Sequence, residues 1–185
     1  MSRLAFLHLL LWPLLALTTQ CSTSRSGTGA QPTTIYIVRH AEKDLTPNLP
    51  DPLLTPEGQQ RALALRDSLV RRKSWAAIFS TATSRTRTTA EPLAQAVKLP
   101  VQDYDPKQLP ALARRIRRSY PGQTVLIVGH SNTVLETAEA FGAPRPVPTI
   151  GDNEYDYLLE VKLPRDSTQA ATAVARRYGV PSASR

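Results

Sequence analysis

The chain of 185 residues has a single cysteine and three histidines, and aromatic residues make up only 6% of it. One cysteine cannot form a disulfide within the chain, so the fold must be held by its apolar core. No aromatic side chains are interleaved with the basic ones to stack on nucleic-acid bases, and we expect no nucleic-acid partner. The sequence also lacks the nucleophile elbow G-x-S-x-G, the P-loop and the dinucleotide motif G-x-G-x-x-G. What remains for chemistry is a small set of histidines and many arginines.

Positive charge exceeds negative charge, with 23 Lys and Arg against 15 Asp and Glu and a net charge of +8. Basic runs such as 71–73 and 114–118 fall on predicted helices, where such runs are usually solvated faces. A basic surface would also attract phosphorylated molecules. Charge alone therefore does not identify the partner.

Residues 1–20 differ from the rest of the chain. Arg3 is followed by a mostly apolar run, 4–17, which is short for a membrane span of about 20 residues and fits a secretory signal peptide. Cys21 follows directly, in a position that resembles the lipid-modified cysteine of bacterial lipoproteins. We expect an exported protein, either periplasmic or attached to the membrane through a lipidated Cys21. The alternative is an ordinary cleaved signal that leaves Cys21 unpaired.

The remaining chain divides into a flexible Ser/Thr/Gly-rich tether at 21–33, a folded domain at 34–180 and a short C-terminal tail at 181–185. Within the domain, strand and helix patterns alternate. Strands are predicted at 34–38, 76–80, 99–102, 123–129 and 155–163. Helices are predicted at 55–72, 84–97, 106–120, 131–142 and 167–179. This order predicts an α/β fold, a three-layer α/β/α sandwich with a mostly parallel central sheet.

Two histidines occupy equivalent places in this pattern. His40 ends "IYIVRH" and His130 ends "VLIVGH", so each directly follows an apolar strand, whereas His8 belongs to the predicted signal. In open parallel sheets the ligand site lies at the carboxyl ends of the strands, so both side chains should meet there. Two histidines are too few ligands for a typical zinc site, and we expect neither metal nor cofactor. Nucleophilic catalysis by a histidine remains open.

Arginines are expected beside the two histidines at the same edge of the sheet. Arg39 precedes His40, and either Arg85 or Arg87 follows another strand end. Guanidinium groups bind phosphoryl groups in a bidentate manner. Their positive charge would also lower the pKa of His40 and keep its ring neutral, as a nucleophile requires.

Four motifs in order carry a resemblance to a known family: "VRHAEK", "LTPEGQQRALAL", "IFSTATSRTRTTAEPLA" and "VLIVGHSNT". Together they resemble the histidine phosphatase superfamily, the phosphoglycerate mutase-like group, from about Thr34 to Tyr157. The compact size is similar to that of bacterial phosphohistidine phosphatases. The resemblance implies a phosphoglycerate mutase-like fold and a metal-independent phosphomonoester hydrolase with a covalent phosphohistidine intermediate.

The resemblance also implies roles for particular residues. His40 would be the nucleophile and His130 the second histidine, which stabilises the transferring phosphoryl group. The phosphate-binding residues would be Arg39, Arg85, Ser131 and Asn132, and the family spacing selects Arg85 over Arg87. For the general acid our candidate is Asp105, with Asp103 and Glu154 as alternatives. Glu42 is expected to orient Arg39 or its neighbours.

Two other functions remain open on the sequence: a non-catalytic phosphoryl-binding domain, and a phosphoglycerate mutase. The short connection between Arg85 and His130 leaves little room for the lid that mutases often insert there. The substrate would be a phosphorylated small molecule or a phosphoprotein. The sequence predicts neither its identity nor the oligomeric state.

Overall fold

The structure is a computed structural model that describes residues 31–182. The predicted signal peptide, Cys21 and most of the predicted tether lie outside these residues, as do 183–185. The strands are β1 Thr33–Arg39, β2 Trp75–Ser80, β3 Val101–Asp103, β4 Thr124–Gly129, β5 Tyr157–Leu163 and β6 Thr172–Arg177. The helices are α1 Pro56–Leu69, α2 Ser84–Val97, α3 Leu109–Ser119 and α4 Val134–Ala140.

The six strands form one sheet in the order β3-β2-β4-β1-β5-β6. Strands β1 to β4 are mutually parallel, and β5 runs antiparallel to both β1 and β6. This is the mostly parallel sheet that the alternating pattern predicts, and the fold-class prediction is confirmed. The strands β1 and β4, which lead to His40 and His130, lie side by side in the middle of the sheet.

Helices cover both faces of this sheet because its central strands are apolar on both sides. In β1, Ile35 and Ile37 pack into the cluster that contains residues of α3 and α4. Tyr36 and Val38 point the other way, into the cluster that contains residues of α1 and α2. The alternation of side chains along each strand thus builds two cores, one on each face.

Helix α1 begins where its sequence predicts. The side chain of Thr55 accepts a hydrogen bond from the backbone N–H of Gly58, and Pro56 occupies the first helical position, where its missing N–H costs nothing. Helix α2 runs without interruption through Pro92. Helices α1, α3 and α4 are shorter than predicted, and in α4 the reason is that 131–133 form a turn before Val134.

The predicted last helix, 167–179, is wrong. Its central part is the edge strand β6, which pairs antiparallel with β5. The buried Ala171 and the half-buried Ala173 and Ala175 belong to or pack on the core next to α3 and α4. Burial at every second residue is the period of a strand. The pairing with β5 outweighs the helix propensity of the alanines.

Both ends of the predicted domain extend slightly further than the sequence indicates. Thr33, placed in the tether, is the first residue of β1, and its hydroxyl donates to the carbonyl of Tyr120. Ser182, placed in the tail, donates from its hydroxyl to Asp156. None of the helices within 31–182 is long and apolar enough to cross a membrane.

Candidate active site

The pairing register of β1 and β4 brings the two histidines together. Arg39 is paired with Gly129, so the next residue of each strand lies at the same edge. The backbone N–H of His40 continues the ladder by donating to the carbonyl of Gly129, at 2.9 Å. The two imidazole rings lie edge to face with their centroids 5.5 Å apart.

Gly129 is needed because the backbone before His130 is closely covered. A Cβ atom at this position would lie 2.7 Å from the hydroxyl oxygen of Tyr104 and 3.1 Å from Oγ1 of Thr133. Thr133 in turn hydrogen-bonds to the backbone of His130. The turn that presents His130 is therefore packed on both sides.

His40 is held in one tautomer. Its Nδ1 lies 2.8 Å from the carbonyl oxygen of Ala41, and since a carbonyl only accepts, Nδ1 carries the proton and Nε2 carries the lone pair. Burial, together with the nearby charges of Arg39 and Arg85 and against the opposing bond to Ala41, lowers the pKa of His40 to about 3. The ring is thus neutral at physiological pH, with its lone pair on Nε2.

His130 is bound to a short chain of threonine hydroxyls. Its Nε2 lies 2.9 Å from Oγ1 of Thr81, which lies 2.9 Å from Oγ1 of Thr86. Thr86 also contacts Oγ1 of Thr83, at 2.8 Å. Burial, with the charges of Arg85 and Arg39, lowers the pKa of His130 to about 4. A hydroxyl that donates to Nε2 leaves the proton of the neutral ring on Nδ1, where it could be donated to a ligand.

Arg39 is buried and held by backbone carbonyls. Its Nη1 donates to Gly151, at 3.1 Å, and to Asp152, at 2.7 Å. Its guanidinium lies 4.1 Å from the centre of the Tyr155 ring, and the same ring lies 6.1 Å from that of His40. Burial lowers the pKa of Arg39, but a guanidinium group stays charged at neutral pH.

Arg85 stands at the start of α2 beside the two histidines. Its Nη1 lies 3.4 Å from Oδ1 of Asp51, a carboxylate that also accepts hydrogen bonds from the backbone N–H and the hydroxyl of Ser84. The backbone N–H at the N-terminus of α2 is therefore already used by Asp51. Arg87 instead pairs with Asp103 at an exposed position.

Both site arginines keep a donor free within the described part of the chain. The Nε atoms of Arg39 and Arg85 are buried and have no hydrogen-bond partner there. Buried donors of this kind are normally satisfied, and an anion between the two guanidinium groups would satisfy them. The arrangement beside a neutral Nε2 suits a phosphoryl group.

Glu42, expected to orient Arg39 or its neighbours, pairs with Arg61 of α1 rather than with Arg39. Its carboxylate accepts from Nη2 of Arg61 at Oε1, at 2.7 Å, and from Nε at Oε2, at 2.9 Å, which makes the pair bidentate. Arg61 also donates to the carbonyl of Val180. Glu42 thus fastens the segment after His40 to α1 and to the C-terminal segment.

Asp105 forms no hydrogen bond or ion pair with either histidine. It follows the edge strand β3, which is separated from β4 by β2, and its carboxylate accepts from the backbone N–H of Lys107. Of the alternatives, Asp103 pairs with Arg87, and Glu154 binds the N–H of Gly151. No carboxylate of residues 31–182 is hydrogen-bonded or ion-paired to either histidine.

The remaining predicted residues are Ser131 and Asn132. They lie in the turn directly after His130, where Ser131 is half-buried and Asn132 is exposed. Their side chains make no hydrogen bond within 31–182. No group of three or more His, Cys, Asp or Glu residues in this range could hold a metal ion.

Four residues of the site are absent from the sequence-based set: Thr81, Thr89, Asp51 and Tyr155. Thr81 directly follows β2, at the same edge of the sheet as His130. Its position after an apolar strand is the same sequence pattern that identifies the two histidines. Thr89 accepts from the N–H of Ala41 and donates to the carbonyl of Arg85, which ties α2 to the nucleophile's loop. Tyr155 comes before β5, and its place depends on the antiparallel direction of that strand.

Comparison with known proteins supports the resemblance. Residues 35–106 match the sequence family described as the histidine phosphatase superfamily (branch 1), a match that includes Arg39, His40 and Arg85 and ends before His130. No curated protein matches the chain. The predicted resemblance to this superfamily is confirmed.

Solved structures share the fold at low sequence identity. A candidate phosphohistidine phosphatase, SixA from Nakamurella multipartitia, is 21% identical with a TM-score of 0.56 and covers 84% of this chain and 99% of its own. SixA from Agrobacterium tumefaciens, also a candidate phosphohistidine phosphatase, is 20% identical with a TM-score of 0.54. The match covers 80% of this chain and 98% of that protein. A mycobacterial glucosyl-3-phosphoglycerate phosphatase is 15% identical with a TM-score of 0.56. The match covers 83% of this chain and 100% of that protein.

Proposed function

Because residues 35–106 match the histidine phosphatase superfamily, we propose that the chain is a phosphomonoester hydrolase that works through a phosphohistidine on His40. One observation carries the proposal. A neutral histidine with its Nε2 lone pair available lies beside a second histidine and two arginines whose buried Nε donors lack a partner in the described chain.

The first step is attack of Nε2 of His40 on the phosphorus atom. The N–P bond forms and the bond from phosphorus to the leaving oxygen breaks, with Arg39 and Arg85 neutralising the phosphoryl oxygens. The imidazole becomes positively charged when it is phosphorylated at Nε2. The bond from Nδ1–H to the carbonyl of Ala41 stabilises this charge.

The second step is attack of water on the phosphohistidine, which breaks the N–P bond and releases inorganic phosphate. The environment that gives His40 a low pKa also makes its imidazole a better leaving group in this step. His130 would stabilise the transferring phosphoryl group in both steps, through a proton on the nitrogen that faces away from Thr81. The proposal uses no metal.

Protonation of the alcohol's leaving oxygen is not assigned to Asp105. That carboxylate caps its own turn and lies beyond β2 from His130. With no carboxylate at the histidines in the described chain, esters of acidic alcohols such as phenols should react faster than esters of alkyl alcohols.

The function is tested with labelled aryl phosphate and rapid acid quench. We expect turnover, inhibition by vanadate, insensitivity to chelators and a phosphoenzyme that is stable in base and labile in acid. His40→Ala should abolish turnover. If His40→Ala hydrolyses the substrate as the wild type does, the proposed mechanism is wrong.

A matched pair of arginine variants separates the site from general charge effects. Arg85→Ala should lower kcat/KM about a hundredfold or more, because it removes a preorganised charge at the transition state. Arg87 lies two residues away on the same helix, and Arg87→Ala removes only an exposed ion pair. It should therefore change kcat/KM little. Phosphate binding without turnover would favour the non-catalytic phosphoryl-binding alternative.

A further inference from the structure

Three leucines are exposed on one loop beside the candidate site. The leucine loop, residues 44–53, connects the nucleophile's segment to α1. Leu45, Leu49 and Leu53 on it are 71%, 42% and 64% exposed. The only other large apolar side chains exposed within 31–182 are Val174 and Val180. Exposed apolar side chains gathered on one segment mark interaction surfaces.

The leucine loop is closed at its base and stiffened along its length. The N–H of Asp44 donates to the carbonyl of Leu53, at 2.8 Å, and Lys43 forms a β-bridge with Leu54. The sequence "TPNLPDP" puts three prolines into the loop, each of which restricts the backbone. Because little conformational entropy is left to lose, the leucines form a preorganised apolar protrusion.

The same loop is attached to the phosphate-binding side of the site. Asp51 within it binds Ser84 and Arg85 at the start of α2. The loop also starts four residues after His40. Any apolar group that covers the leucines therefore lies next to a phosphoryl group held by Arg85.

We propose, on the basis of the phosphomonoesterase function, that the leucine loop binds the apolar part of the substrate at a lipid surface. The substrate class is then a phosphomonoester whose leaving group carries a long apolar chain. Transfer to His40 breaks the bond between phosphorus and the leaving oxygen. The long-chain alcohol stays in the lipid, and water later releases inorganic phosphate from the N–P bond.

Charge and chain length favour lipid as the occupant over a protein. A net charge of +8 attracts an anionic lipid surface. The apolar run at 4–17 and the expected lipid anchor at Cys21 would hold the chain at such a surface. The segment from Cys21 to Thr33 can extend to about 40 Å, and β1 is about 23 Å long. Because this segment can extend further than β1 is long, the domain can turn so that the site at the C-terminal end of β1 faces the lipid.

The test uses two substrates with the same phenolic leaving oxygen. One is para-methylphenyl phosphate in solution, and the other is a long-chain para-alkylphenyl phosphate in vesicles of phosphatidylcholine and phosphatidylglycerol. The full chain is reconstituted into the same vesicles. The variant Leu45→Ser/Leu49→Ser/Leu53→Ser should lower the ratio of vesicle to solution kcat/KM about tenfold or more. The control Val174→Ser/Val180→Ser should leave this ratio unchanged.

A second measurement follows the loop itself. When vesicles are added, the tryptophan emission of Leu49→Trp should shift further to the blue than that of Val174→Trp. The native Trp12 and Trp75 and the expected anchor are the same in both variants, so the difference between the two shifts reports the loop. An unchanged substrate ratio, or equal shifts in the two variants, overturns the proposal.

The outcomes separate this proposal from the proposed function. If the wild type hydrolyses the soluble ester and shows no preference for the long-chain ester, the substrate class is wrong and the phosphatase function stands. If it hydrolyses neither ester, the phosphatase function fails, and with it this substrate class. A leucine variant whose only change is in self-association, measured by size-exclusion chromatography, would assign the loop to contacts between copies and overturn the proposal.

Discussion

At the scale of single residues, the proposed chemistry depends on His40 being uncharged. An ordinary histidine titrates near pH 6.5, whereas burial lowers the pKa of His40 to about 3 and that of His130 to about 4. We predict that neither ring takes up a proton between pH 8 and pH 5. NMR titration of the two imidazoles, assigned with His40→Gln and His130→Gln, checks this. A midpoint near 6.5 for His40 would show that its ring is solvated.

Thr81 tests whether the orientation of His130 matters. Thr81→Val keeps the shape but removes the hydroxyl at 2.9 Å from Nε2 of His130. Loss of one such hydrogen bond costs about 1 kcal/mol, and we expect a fall of roughly fivefold in kcat with little change in KM. Thr81→Ser should restore most of the activity because it restores the hydroxyl. An equal loss in both variants would assign the effect to packing.

At the scale of elements, α1 is held against the loop that follows the nucleophile. A Cβ on Gly58 would lie 2.1 Å from the carbonyl oxygen of Glu42, so Gly58→Ala must displace the helix or that loop. We predict a loss of about 2 kcal/mol or more in the free energy of unfolding, measured by urea denaturation. Gln59→Ala, one residue along on the exposed side of α1, should have little effect. Equal stabilities of the two variants would contradict the close approach.

Strand β6 supports Arg39, the proposed phosphate-binding residue, through two intermediate contacts. Arg177 pairs with Glu154 and with the buried Asp156, and Glu154 binds the N–H of Gly151, whose carbonyl accepts from Arg39.

We therefore predict that Arg177→Met weakens inhibition by inorganic phosphate several-fold, because the loop that holds Arg39 loses its anchor. Arg176→Met is the matched control, since Arg176 pairs with Glu160 and is not linked to this loop. Phosphate inhibition constants of the two variants provide the measurement. Equal constants would show that the loop holds its position without Arg177.

How far the sequence predicts this site depends on the type of element. A residue that follows an apolar parallel strand has a defined place, so His40 and His130 can be predicted. Tyr155 cannot, because it precedes a strand whose antiparallel direction is set by its neighbours in the sheet. The last helix fails for a similar reason, since pairing with β5 decides the structure of 172–177. Asp105 also follows a strand, but β3 lies at the edge of the sheet, so the same rule does not place it beside the histidines.

At the scale of the whole molecule, the buried histidines make stability depend on pH. The unfolded chain binds a proton at each histidine below about pH 6.5, whereas folded His40 does so only near pH 3. Stability is therefore lost as the pH falls below 6.5, by about 1.4 kcal/mol per pH unit for His40. His130 is less buried and should contribute less.

We predict that His40→Gln reduces the slope of unfolding free energy against pH, measured between pH 6 and 4.5. The carboxylate of Asp156 has a lowered pKa, because hydrogen bonds from Arg177 and Ser182 outweigh the opposing effect of burial. Its contribution is lost only below about pH 4, outside this window. An identical slope in wild type and variant would contradict the low pKa of His40.

The central strand also imposes an order on folding. β1 is made first, yet Thr34 pairs with Thr124 and Thr33 pairs with Leu163. Contacts so distant along the chain form slowly, and until they form "IYIV" is an unprotected β-prone segment of the kind that aggregates. The protein should therefore need dilute conditions or a chaperone to refold. A chain cut off before residue 124 would have no partner on either side of β1 and should remain unfolded.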